Sequence, residues 1–233
     1  MNQASVSGWR LLLTLGLWAV LSAVAGAATL VSVRLLAETW LVHNRANLSA
    51  VLIAEVYLCL LVALLLAFGG PRGLRDRLGF RYTSAPDIAG ALLVWLAAVV
   101  VGALLSAALV PLIGQPQSNA VSLLRQSFDP LFIAVIVPTV CLLAPVCEEL
   151  LFRGALFGWL RGLLPSPAAI TLTAVIFAGA HLLPTLFPVL FVFGLGATWV
   201  RERTGSTLNS FAMHATQNTM AVLATYALLS QGA

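Results

Sequence analysis

Apolar residues run along this chain in long blocks, and short polar stretches separate them. Positions 11–33 carry no charge over 23 residues, and the stretches 88–124 and 162–200 are also uncharged. The stretch 47–68 is broken only by Glu55. Uncharged apolar runs of about 18 residues or more read as membrane helices. The pattern predicts an all-α, polytopic transmembrane helix bundle of about seven spans: 11–33, 47–68, 88–113, 129–163, 167–183, 185–200 and 206–229. Gly69, Gly70 and Pro71, then Gly114 to Pro116, Pro165 to Pro167 and Thr204 to Ser206 punctuate them. The polar segment 114–128 leaves room for a short surface helix.

The fourth span is too long for a simple crossing. Thirty-five residues of helix extend about 52 Å, against a hydrocarbon core of about 30 Å. Either one tilted helix kinks at Pro138 or Pro145, or the segment makes two passes and the total becomes eight. Arginine placement favours one pass. With the N-terminus in the cytoplasm, Arg10, Arg72, Arg75, Arg77, Arg81, Arg161, Arg201 and Arg203 all fall inside, and only Arg34, Arg45 and Arg125 fall outside.

Composition agrees with the bilayer as solvent. Of 233 residues, 61% are hydrophobic and 9% charged, against about 25% charged in soluble domains. The formal charge of +4 comes from arginine alone, and no basic stripe suggests a nucleic-acid partner. The expected partners are the lipid bilayer and a hydrophobic substrate; oligomeric state is not legible. An arginine-only, Ala/Leu-rich chain suggests a bacterial inner-membrane protein. Arg10 before an apolar run and Ala25 to Ala27 mimic a secretory signal, but 23 residues exceed a signal's apolar core of about 7–15, so an uncleaved first span is expected. Cys59, Cys141 and Cys147 lie in apolar segments without disulfide or zinc spacing. They read as small core residues; Cys147 has only Arg153 nearby to activate a thiol.

Span four carries Glu148, Glu149 and Arg153. A charge at mid-membrane costs about 2.5–3.5 kcal/mol on insertion scales, so such groups face the bundle or a cavity and mark function. Glu149 and Arg153 are i and i+4, share a helix face and can pair. Glu148 lies about 100° around the helix and has no partner on it, which leaves it free as a general base. His181 closes span five. His214 and Asn218, again i and i+4, face one direction on span seven. Counted from the expected cytoplasmic ends, Glu148, His181 and Asn218 lie about 18–22 Å deep and His214 about 12 Å. Each imidazole taken alone is equally an interhelical hydrogen-bonder. Glu55 is either a structural, water-facing carboxylate or a helper at the site.

These residues resemble the three motifs of the CPBP family, which groups type II CAAX prenyl endopeptidases with bacteriocin-processing and immunity (Abi) proteins. The matching residues are Glu148-Glu149-Leu-Leu-Phe-Arg153-Gly154, Phe177-x-x-x-His181 and His214-x-x-x-Asn218, with Gly194, Gly196 and Arg203 to Ser206 between. The resemblance covers roughly 130–225 and divides the chain into N-terminal transmembrane helices (1–125) and a catalytic bundle (126–233). It implies an intramembrane endopeptidase acting on a hydrophobic or membrane-associated peptide. Glu148 would activate water and His181 would help to hold it. His214 and Asn218 would stabilise the oxyanion, while Glu149 and Arg153 brace the site. Glu148, His181 and His214 could alternatively hold a divalent metal such as zinc with an open fourth position. Two other functions compete: a non-catalytic immunity-type membrane scaffold, and a proton-coupled transporter using intramembrane Glu and His. The transporter lacks an inverted repeat.

Overall fold

The computed structural model describes residues 6–35, 45–115, 124–125 and 127–230. Its described residues form eight helices and no strand: α1 Gly8–Leu35, α2 Arg45–Phe68, α3 Gly70–Asp76, α4 Ala85–Ile113, α5 Pro130–Arg161, α6 Ser166–Ala180, α7 Phe187–Thr204 and α8 Thr207–Ser230. Seven of these coincide with the predicted segments. Four of them, α1, α2, α4 and α5, are long and apolar enough to cross a membrane. The 15-residue α6 extends only about 22 Å. The helices α7 and α8 are more polar, and they turn Arg201, Asn209, Ser210 and His214 into the bundle. The predicted surface helix of 114–128 falls largely outside the described residues.

Local chemistry sets the helix ends. Ser84 caps α4, its hydroxyl accepting from the Asp87 amide, and Asp129 caps α5 by accepting from Leu131 and Phe132. Prolines stand in the first turn of both, where a missing N–H costs nothing. The Gly69 to Pro71 punctuation hides a short helix. Gly69 takes a left-handed φ of 88° that ends α2, and Pro71 then starts α3. The predicted span 167–183 stops at Ala180, because Leu182 turns to φ 55° and Pro184 disfavours helix before it.

The long α5 is unbroken. It carries two π-helical stretches, Thr139–Leu143 directly before Pro145 and Leu150–Leu156 beyond it, and does not divide into two helices. It runs through the centre of the bundle and contributes Leu150, Phe152, Ala155 and Phe157 to the main core, with Leu64 and Phe68 of α2, Phe177 of α6 and Met213 of α8. Large apolar side chains of α1 and α4, such as Leu12, Leu93 and Leu104, point outward, the arrangement expected of a lipid-facing surface. The chain is an integral membrane protein.

Candidate active site

The site is built around the middle of α5. Ala144 donates its N–H back five residues to the Thr139 carbonyl, and Pro145 has no N–H to give. The Val140 carbonyl therefore loses both its α-helical and its π-helical donor. The Asn218 amide of α8 donates to it at 2.8 Å. The second π-helical stretch begins immediately after Glu148 and Glu149 and contains Arg153. Such stretches concentrate at functional sites.

Glu149 and Arg153 are both fully buried. Arg153 Nη1 donates to Glu149 Oε1 at 2.8 Å, its Nε donates to the Thr198 hydroxyl at 3.4 Å, and its guanidinium lies 4.1 Å above the Phe177 ring. Thr198 in turn donates to the Gly194 carbonyl at 2.7 Å. His214 Nδ1 lies 2.9 Å from the same Glu149 oxygen. Glu149 is therefore more than Arg153's counter-ion. As a carboxylate it accepts from Nδ1, which puts the Nδ1 proton on His214 and turns Nε2 the other way. His181 is fixed similarly, since its Nδ1 lies 2.9 Å from the Phe177 carbonyl, a group that only accepts. Phe177 packs edge-on against both imidazoles at centroid distances of 4.9 and 5.9 Å, and Phe193 against His214 at 5.3 Å.

Both Nε2 atoms then face Glu148, each 3.9 Å from Oε2. Oε2 has no hydrogen-bond partner among the described residues. The other oxygen, Oε1, accepts from the Tyr57 hydroxyl of α2 at 2.8 Å. The side chains of Glu148 and His181 remain partly exposed, so the cluster opens outward on one side. An apolar groove of about 470 Å³ between α5 and α8 is lined by Pro138, Thr139, Leu142, Leu143, Val146 and Phe211, none of them a member of the cluster.

Glu148, Glu149, Arg153, His181 and His214 thus meet in one cluster. The shallower depth counted for His214 does not separate it from Glu148, because counting assumes parallel helices with level ends. Asn218 makes its hydrogen bond to the α5 backbone at Val140 rather than to the cluster. Glu55 is not in the group, since it accepts from Thr29 of α1. Tyr57, Thr198, Phe177 and Phe193 join the site without having been assigned roles from the sequence. Only Phe177 carried a signal, as the first residue of a motif.

The spacing does not suit zinc held by Glu148, His181 and His214. Tetrahedral bonds of about 2.0–2.2 Å put ligand atoms about 3.3 Å apart, whereas both Nε2 to Oε2 separations are 3.9 Å. Among the described residues no three His, Cys, Asp or Glu side chains gather at metal-holding distances.

Fold and site together describe a helical membrane protein with a carboxylate–imidazole cluster inside its bundle. Residues 130–220 match the family described as Type II CAAX prenyl endopeptidase Rce1-like, and this stretch is the one that carries the resemblance to the CPBP family. No curated protein and no solved structure matches the chain.

Proposed function

We propose that the chain is an intramembrane endopeptidase using a glutamate-activated water. The observation that carries this reading is the unpartnered Oε2 of Glu148, facing Nε2 of both His181 and His214 at 3.9 Å. A water at about 2.8 Å from both ends of such a gap subtends roughly 90°, a workable hydrogen-bonding angle. Glu148 takes a proton from this water, and the resulting hydroxide forms the C–O bond to the scissile carbonyl carbon. His181 Nε2 accepts from the water and orients it. His214, its Nδ1 proton held by Glu149, turns Nε2 toward the carbonyl oxygen, and in this scheme an Nε2–H donates to that oxygen as it becomes an oxyanion. Asn218 has a second amide hydrogen, beyond the one given to Val140, for the same oxyanion. The C–N bond then breaks, and Glu148 returns its proton to the leaving amine.

A cluster set among apolar, membrane-crossing helices favours a hydrophobic or membrane-associated peptide as substrate. The arginine distribution supports a cytoplasmic N-terminus in a bacterial inner membrane. A reporter fused to the C-terminus should read as non-cytoplasmic; a cytoplasmic signal overturns the seven-span topology. The chemistry is tested by comparing membrane peptidomes of cells carrying the wild type and Glu148→Gln. Peptides produced only by the wild type are expected. Identical peptidomes, with both proteins inserted equally, would remove the protease reading.

A further inference from the structure

We propose that Tyr57 is a positioning residue for Glu148, so that an N-terminal helix outside the matched segment 130–220 completes the site. The inference rests on the glutamate-base reading. A glutamate has a broad terminal torsion, so its carboxylate plane swings over a wide range. Only part of that range turns a free oxygen toward the imidazoles. The Tyr57 hydroxyl removes that freedom by donating to Oε1 at 2.8 Å, and Oε2 is the atom left to face His181 and His214.

Tyr57 is itself held in place. Cys147 Sγ–H donates to the Tyr57 carbonyl at 3.3 Å, and Trp18 Nε1–H of α1 donates to the Val56 carbonyl at 3.0 Å. The Tyr57 ring packs against the main core. A contact made from α5 thus fixes the tyrosine one residue before the glutamate that the tyrosine fixes, and α1 braces the same turn of α2. Cys147 acts here as a backbone tie rather than as a nucleophile. The simpler alternative is that Tyr57 only satisfies buried polar groups, which predicts an effect on stability and none on turnover.

The two readings separate in Tyr57→Phe, which keeps the ring and removes the donor. The assay uses the full chain in liposomes with a quenched-fluorescence hydrophobic transmembrane peptide. We expect kcat to fall about 10- to 100-fold, the scale of a misplaced catalytic group, with KM and the thermal midpoint unchanged. In a Glu148→Gln background, Tyr57→Phe should cause no further loss. Replacing Tyr57 by 3-fluorotyrosine keeps shape and donor and changes only hydroxyl acidity, so the pH profile of kcat should shift while KM does not. Wild-type kcat in Tyr57→Phe overturns the proposal, as does a loss that tracks a lowered midpoint, or a fluorotyrosine profile identical to wild type. If Glu148→Gln is inactive and Tyr57→Phe fully active, only the Tyr57 inference fails. If Glu148→Gln cleaves like wild type, the base assignment itself fails.

Discussion

Replacing Arg153 with methionine keeps most of the side-chain volume and removes a fully buried guanidinium. Glu149, itself without solvent exposure, would then lose its guanidinium and keep the His214 imidazole and the Ser210 hydroxyl beside it. Thr198 would lose a donor at 3.4 Å, and Phe177 a cation 4.1 Å from its ring centre. An exposed ion pair of this kind is worth about 0.2–1 kcal/mol. Breaking a buried one strands a charge and costs about 3–5 kcal/mol. At 1.4 kcal/mol per factor of ten, this is about a hundred- to several-thousand-fold in the unfolding equilibrium. The measurement is reversible denaturant unfolding in mixed micelles. A companion variant, Glu149→Gln with Arg153→Met, removes the stranded charge and should recover most of that loss. It should not recover cleavage, because a neutral amide holds the His214 Nδ1 proton less firmly than a carboxylate does. A cost below about 1 kcal/mol for Arg153→Met, or a double variant no more stable than the single one, would refute the reasoning.

Asn218→Ala should act twice: loss of an oxyanion donor lowers kcat about 10²- to 10³-fold, and the Val140 carbonyl left without its donor costs about 1–3 kcal/mol. Turnover and unfolding measured on the same preparation check both effects, and a change in only one separates the two roles. Gly154→Ala places a new carbon 2.8 Å from Leu78 Cβ and 3.3 Å from its carbonyl oxygen, where the turn after α3 packs on α5. Overpacking of this kind should cost about 1–3 kcal/mol, read as a lower unfolding midpoint. Exhaustive chelation, with metal content followed by elemental analysis, should leave peptide cleavage intact; a loss restored by zinc alone would show that the imidazoles close around an ion.

The sequence alone determined where the helices lie. The bilayer admits only long apolar runs with their backbone satisfied internally, so composition marks each apolar helix along the chain, while the short charged α3 left no such mark. The Glu149–Arg153 pair was equally legible, because i and i+4 positions share a helix face whatever the rest of the fold does. So was the grouping of Glu148, His181 and His214 as polar groups out of place in apolar helices. Only the tertiary structure decided how these groups meet. The Tyr57–Glu148, Arg153–Thr198 and Asn218–Val140 contacts join residues 91, 45 and 78 positions apart. No periodicity within a helix records which turn of another helix it will face. The same limit explains Glu149, read from its own helix as a partner of Arg153 and found also to orient His214 on α8. Interhelical packing set that second contact, and with it the direction in which the His214 Nε2 points.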